Sequence, residues 1–303
     1  MLASFALLAL LAQHAFAHSS RPSPSPSSGV FRKRLIVFGD SLSDDGTGAW
    51  ELSDNTLPVE PPYFEHQFTN GPVWSRLLAQ KHNFELMSYA IGGATVDNDV
   101  VPGVLREDNS LLVPSVKDQV TQALAYKVPR TLDVYILFAG ANDAVNALAL
   151  NKLLSGTEVA ALIEKRVSQL YKAGAKRVLL ATLPNFAATP NAKKQPVQFR
   201  QFGTLFNEDL RTGLYNIVRR WDHLLRIEVA DIYDAFNGVL ANPEAFGFDS
   251  QYLTTPCYTG GYEIYKGTTC ADPEKHIFWD GTHPSAVSHQ LIADVFSEAY
   301  ARL

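Results

Sequence analysis

Positive charge is not in excess in this chain: 26 Lys and Arg stand against 31 Asp and Glu, a formal net charge of −5. Apart from Phe31-Arg32-Lys33-Arg34 there is no basic cluster, so the electrostatic footprint of a nucleic-acid binder is missing and that function class is set aside. Cysteine is scarce, with only Cys257 and Cys270. Neither has the spacing of a metal site. No Asn-x-Ser/Thr acceptor occurs, and no apolar run beyond the amino terminus approaches the length needed to span a bilayer. HExxH, a phosphate-loop lysine motif and the Gly-x-Ser-x-Gly elbow are also absent. Gly46-Thr47-Gly48-Ala49-Trp50-Glu51 begins like a dinucleotide fingerprint but ends on glutamate.

What is present begins with MLASFALLALLAQHAFA, an apolar run that closes on Ala15-Phe16-Ala17. Its length and small-x-small ending predict a signal peptide over residues 1–17, although a basic leading segment is lacking. Residues 18–34 carry alternating Ser and Pro, which cannot bury apolar surface and read as a leader. Lys33-Arg34 fits either a dibasic processing site or the flank of a buried strand. A secreted, extracellular product follows, with no stable membrane association expected. In an exported protein an isolated cysteine pair is expected to be bridged, Cys257 to Cys270.

From residue 35 to 303 apolar runs alternate with helical patterns, which predicts one α/β domain with a mostly parallel sheet. The expected strands are 35–38, 84–90, 133–138, 177–182 and 226–230. A helix is expected over 157–173, where Val159, Ile163, Val167 and Leu170 recur at helical spacing, with Thr157 at its start and Gly174 at its end. The last helix is expected to begin at Pro284, with Val287, Leu291, Val295 and Phe296 on its buried face. Segments 44–71 and 237–279 lack a strong period, and long irregular stretches in compact domains are usually functional surfaces.

Three motifs each follow the carboxyl end of an expected strand: Gly39-Asp40-Ser41-Leu42, Ile91-Gly92-Gly93-Ala94 and Gly140-Ala141-Asn142-Asp143. Open parallel sheets place ligand sites at such ends, so the three converge on one mouth. Taken singly, Gly92-Gly93 fits a tight turn and Asn142-Asp143 fits simple capping of the next helix. The segment Phe278-Trp279-Asp280-Gly281-Thr282-His283-Pro284 changes that reading. A serine hydroxyl needs a base within hydrogen-bond reach, itself oriented by a third group. Asp280 and His283, three residues apart in one turn, supply both, and the other histidines lack a comparable Asp-x-x-His-Pro context.

The blocks FGDSLSD, IGGATVDN, FAGANDA and WDGTHP, in that order, resemble the GDSL or SGNH hydrolases over about residues 35–303. The resemblance implies a three-layer α/β/α sandwich around a flavodoxin-like five-stranded sheet. It implies Ser41 as nucleophile, His283 as general base and Asp280 as its orienting acid. It also implies an oxyanion hole from Ser41, Gly93 and Asn142, with Gly92 serving the turn, and no metal or organic cofactor. Ser88 stands where many relatives carry asparagine.

FTNGPVW and SYAIGGATVDN are similar to extracellular members that include carbohydrate acetylesterases and lipolytic acylhydrolases. The expected substrate is a small-molecule or oligosaccharide ester, with acetyl groups on sugars first and longer-chain lipid esters as the alternative. That order follows from the lack of an apolar or basic amphipathic docking helix outside the signal peptide, and from Trp50, Tyr63, Phe64 and Trp74, flat rings that could wall a sugar-binding cleft with prolines 58, 61 and 62 stiffening it. The other reading of these rings is core, above all for Trp74 at the helix start after Gly71-Pro72. A non-catalytic carbohydrate-binding protein would require a broken triad.

Overall fold

Two runs, RLIVFG and VYILF, are buried along their whole length, as strands covered on both faces must be. The computed structural model describes residues 32–303, except 107, 109 and 127. The expected signal peptide, 1–17, and residues 18–31 of the expected leader lie outside the described residues. The strands in chain order are β1 (Arg34–Gly39), β2 (Glu85–Ser88), β3 (Gly103–Val104), β4 (Leu112–Val113), β5 (Val134–Phe138), β6 (Arg177–Ala181) and β7 (Arg226–Ala230). The helices are α1 (Gly48–Leu52), α2 (Trp74–His82), α3 (Val116–Tyr126), α4 (Ala141–Ala149), α5 (Gly156–Lys172), α6 (Pro190–Lys193), α7 (Val197–Trp221), α8 (Ile232–Ala241) and α9 (Ala286–Arg302).

Five strands form one parallel sheet in the order β2-β1-β5-β6-β7. The chain moves outward from β1 to β2, then returns across β1 and continues in the other direction. Strand order therefore reverses beside β1, and a crevice opens between the carboxyl ends of β1 and β5. On one face of the sheet α3, α5 and α7 pack together, and on the other α2 packs with α9. Trp74 of α2 stacks on Phe296 of α9 with ring centroids 3.9 Å apart. The architecture is the expected α/β/α sandwich with a flavodoxin-like five-stranded sheet. The small antiparallel ribbon β3-β4 was not anticipated, because two-residue strands leave no period to read.

Local chemistry moves two helix starts. Ser155, not Thr157, caps α5: its hydroxyl accepts from Glu158 N–H while the Glu158 carboxylate accepts from Ser155 N–H, a full capping box. The last helix begins at Ala286, capped by Ser285, not at Pro284. Pro284 instead pairs across from Phe278, and Trp279 N–H donates to His283 C=O at 2.8 Å, so the His283 segment is a closed loop ahead of the helix. Arg34, half of the dibasic pair, is buried within β1. Its guanidinium pairs with Asp133 next to β5, which fits the strand-flank reading of Lys33-Arg34.

Cys257 and Cys270 are bridged across a sequence separation of 13. The bridged segment lies directly against the loop that carries Asp280 and His283, because Cys257 N–H donates to Phe278 C=O and Tyr258 N–H to Trp279 C=O. Closing a loop of this size restricts the unfolded chain by about 3 kcal/mol. The paired substitution Cys257→Ser with Cys270→Ser is expected to lower stability by about that amount. A reduced urea midpoint is the expected result, and an unchanged midpoint would remove the stabilising role.

Candidate active site

Ser41 follows the end of β1, where the backbone is held from several sides. The Gln119 side-chain amide clasps Gly39, accepting from its N–H and donating to its C=O, both at 2.9 Å. A Cβ on Gly39 would meet Phe138 C=O at 2.3 Å, so β1 can lie this close to β5 only with glycine there. After Gly39 the chain turns at once: Ser43 N–H and Asp44 N–H both donate to Asp40 C=O, at 2.9 and 3.0 Å. This sharp turn leaves Ser41 at the mouth of the crevice.

His283 Nε2 lies 2.9 Å from Ser41 Oγ, and its Nδ1 lies 2.8 Å from Asp280 Oδ2. The other Asp280 oxygen accepts from the backbone N–H groups of Thr282 and His283, each at 2.7 Å. Tyr63 donates its hydroxyl to Asp280 Oδ2 at 2.6 Å. Burial works to raise the Asp280 carboxyl, but the neighbouring His283 and these hydrogen bonds outweigh it and hold the group below its ordinary range. Residues three apart in one loop and a serine 242 positions away are thus brought into a single hydrogen-bonded series.

The second glycine block faces Ser41 across the crevice. Gly92 N–H is taken by Asp44 Oδ2 at 2.9 Å. Gly93 N–H and Ser41 N–H have no acceptor among the described residues. Gly93 has φ +82, and a Cβ there would lie 2.2 Å from Val104 C=O, so glycine is required both for conformation and for space. Asn142 and Asp143 do not cap α4, whose start has no side-chain cap. They reach across to this block instead: Asn142 Nδ2 donates to Ala94 C=O at 3.0 Å, and the Asp143 carboxylate accepts from Val96 N–H.

Buried carboxylates therefore order the floor. Asp44 accepts from Gly46, Gly48, Ala49 and Gly92 N–H. Burial pushes its carboxyl up to about 7 against the pull of these donors. Burial likewise raises Asp143 to about 7 and Asp40 to about 6. Sequence reading assigned no role to Asp44 or Gln119. Asp44 stood in the quoted FGDSLSD block, and Gln119 left a faint signal as a polar residue at a buried turn of an apolar helix face, beside Val116 and Val120.

The expected aromatic wall is not there. Tyr63 is fully buried, Trp74 is core at the start of α2 as its place after Gly71-Pro72 suggests, and Trp50 stacks on His66 with centroids 3.5 Å apart. Of segment 44–71 only Phe68 lines the cleft, its ring 5.1 Å from that of His283. The cleft holds about 720 Å³ and opens at Ser41, Gly93, Asn142 and His283. One wall is Val104 and Leu105 of the ribbon region with Val145 and Leu148 of α4; the other is Leu183, Phe186 and Phe199. Among the described residues no group of three or more His, Cys, Asp or Glu is arranged to hold a metal ion.

Asp44→Asn keeps the side-chain shape but turns an acceptor oxygen into an NH₂ that faces two backbone N–H groups. The expected result is a stability loss on the order of 1–3 kcal/mol for each orphaned donor, read from the urea midpoint, together with lower esterase kcat. Wild-type stability and kcat would show that Asp44 does not organise this floor.

The sequence pattern described as GDSL-like Lipase/Acylhydrolase matches residues 35–296. A phosphatidylcholine-sterol acyltransferase of Aeromonas hydrophila is 29% identical over 265 residues, covering 84% of this chain and 72% of the relative. A thermolabile hemolysin of Vibrio parahaemolyticus is 27% identical over 283 residues, covering 88% of this chain but only 63% of the relative's length. Among solved structures, a carbohydrate esterase family 2 enzyme with a carbohydrate binding domain, from Corynascus thermopiles (Myceliophthora fergusii), shares the fold with a TM-score of 0.51 at 14% identity. That alignment covers 91% of this chain and 68% of that one. The chain belongs to the GDSL-like lipase/acylhydrolase family, enzymes that act on ester bonds.

Proposed function

We propose that the protein is a secreted serine carboxylic ester hydrolase that works through an acyl-enzyme, with Ser41 as nucleophile, His283 as general base and Asp280 holding His283. The observation that carries this reading is the unbroken series Ser41 Oγ, His283, Asp280, with contacts of 2.9 and 2.8 Å. Ser41 Oγ attacks the ester carbonyl carbon while His283 Nε2 takes the hydroxyl proton. The oxygen that becomes negative is received by the N–H groups of Ser41 and Gly93 and the Asn142 amide. The free state of the first two N–H groups supports that role, and the engagement of Gly92 by Asp44 supports Gly93 over its neighbour. As the tetrahedral intermediate collapses, His283 returns the proton to the leaving alcohol. Water, deprotonated by the same ring, then releases the acid and restores Ser41.

The bridged cysteines support export, because such bonds persist in oxidising compartments. They fit a signal peptide over 1–17; the leader expected over 18–34 stops short of Arg34, which already belongs to β1, so the hydrolase domain includes that residue as well as 35–303.

For the substrate, the cleft favours the second of the two readings above. The acetyl-sugar reading drew in part on an aromatic wall, and none of Trp50, Tyr63, Phe64 and Trp74 borders the cleft. The apolar walls beside Ser41 suit an acyl chain of several carbons, and a two-carbon acetyl group would leave most of the 720 Å³ to water. Polar Asn191, Gln195, Lys194 and Arg106 at the mouth suit a polar alcohol portion. The relative named for phosphatidylcholine and a sterol supports the same class.

Two measurements test this. Ser41→Ala and His283→Ala are each expected to remove nearly all turnover of a p-nitrophenyl ester with an unchanged circular dichroism spectrum, and Asn142→Ala to lower kcat roughly 10²–10³-fold with little change in KM. Near-wild-type rates in the Ser41 or His283 variant would overturn the mechanism, and an effect on KM alone would remove Asn142 from the oxyanion hole. Across an acyl series, each buried methylene contributes about 0.8 kcal/mol, so kcat/KM for octanoyl esters is expected to exceed acetyl by at least ~10-fold. A maximum at acetyl would restore the short-chain reading.

A further inference from the structure

Tyr63 is a second donor to the oxygen that orients His283. Its hydroxyl lies 2.6 Å from Asp280 Oδ2, the same atom that sits 2.8 Å from His283 Nδ1. The ring is buried, with Tyr258 and Trp279 standing edge-on to it at centroid distances of 5.8 and 6.4 Å. Tyr63, Tyr258, Trp279 and Cys257 form a separate apolar cluster, against which Cys270 also packs. The ring therefore has little freedom to turn its hydroxyl elsewhere. Burial, and then the charge of Asp280, push the phenol well above its ordinary range, so it remains a proton donor wherever the enzyme would work.

We propose that Tyr63 is a positioning residue that sets the basicity and the angle of His283 by sharing Asp280 Oδ2 with it. The inference rests on the assignment of His283 as general base. A carboxylate oxygen that receives two donors divides its charge between them, so Tyr63 weakens the hold of Asp280 on a protonated His283 ring. It also fixes the carboxylate plane, which the Thr282 and His283 N–H groups hold from the other oxygen. The titratable groups that face this pair are Asp40 from the end of β1, Tyr63, Tyr258 and Tyr262 from the loops, and His289 from α9. Burial lowers His289 to about 3, so it stays neutral, and among these groups Tyr63 is the one hydrogen-bonded to the orienting oxygen.

The disulfide gains a second consequence. It steadies the Tyr258 segment that walls the Tyr63 ring, so its influence reaches His283 through Tyr63 as well as through the backbone.

The test is the pH profile of kcat/KM for a soluble short-chain ester, whose acidic limb reports the free base. In Tyr63→Phe the full charge of Asp280 Oδ2 falls on His283, and the acidic limb is expected to move up by roughly half to one pH unit. Its kcat is expected to fall about tenfold with KM within about twofold, since the loss lies in orientation of the base. A ring-fluorinated tyrosine placed site-specifically at position 63 keeps the shape and is a stronger donor, so it is expected to move the limb down. Opposite shifts in the two variants support the proposal, because a purely structural residue would change the melting temperature and leave the limb in place. If Tyr63→Phe fails to fold, the fluorinated protein carries the test alone. Superimposable profiles, or shifts of one sign in both, overturn it. Retained activity in Ser41→Ala would instead overturn the mechanism itself, so the two failures are distinguishable.

Discussion

The Asp44 carboxylate is the interaction on which the rest of the site depends. Three loops meet at the reversal point of the sheet, and their backbone N–H groups are turned inward, away from water and from any strand that could accept them. A buried unpaired N–H is costly. One carboxylate removes four such donors at once: Gly46, Gly48 and Ala49 from the segment after Ser41, and Gly92 from the second glycine block. In doing so it ties the turn after β1 to the segment opposite, and it engages Gly92 and not Gly93, which lines the cleft. Asp143 repeats the device from the first turn of α4 by accepting Val96 N–H. The price is the burial of acidic groups, visible in the raised carboxyl ranges of Asp40, Asp44 and Asp143.

The other half of the site is held by different means. Asp280 and His283 stand on a loop and not on a strand or helix, so precision has to come from neighbours. The bridged segment pairs its backbone with Phe278 and Trp279, Asn191 N–H donates to Gly281 C=O, and Trp279 N–H closes on His283 C=O. Phe68 and Tyr262 pack against the imidazole ring. Each contact removes a direction in which the loop could move, which keeps the His283 ring within hydrogen-bond reach of Ser41.

The cleft has a polar end and apolar walls. Polar donors cluster at Ser41, Gly93 and Asn142, while the walls leading away from them are apolar side chains from α4, the ribbon region and the segments after β6. Such a division is usual in small-molecule sites, where a few placed polar groups stand among apolar walls. Because the walls come from connections between sheet strands, they can differ between proteins with this fold while the polar end is unchanged.

The sequence by itself determined the layers, the five sheet strands and the residues of the hydrogen-bonded series. Continuous apolar runs such as RLIVFG have few alternatives to a strand buried on both faces, and Asp-x-x-His-Pro beside a post-strand serine has few chemical meanings. Short-range chemistry also carried the exchange of helix caps, since Ser155 and Glu158 are as legible as Thr157 once the whole capping box is considered. Only the tertiary structure decided what Tyr63 does. Its local sequence, rich in proline and aromatics, suited an open wall, yet the ring is enclosed by Tyr258 and Trp279 and its hydroxyl is turned to Asp280, 217 positions away. The same holds for Gly92 and Gly93, adjacent and chemically identical in the sequence. They are distinguished because one N–H meets the Asp44 carboxylate and the other does not, a difference of direction in space that composition and period do not encode.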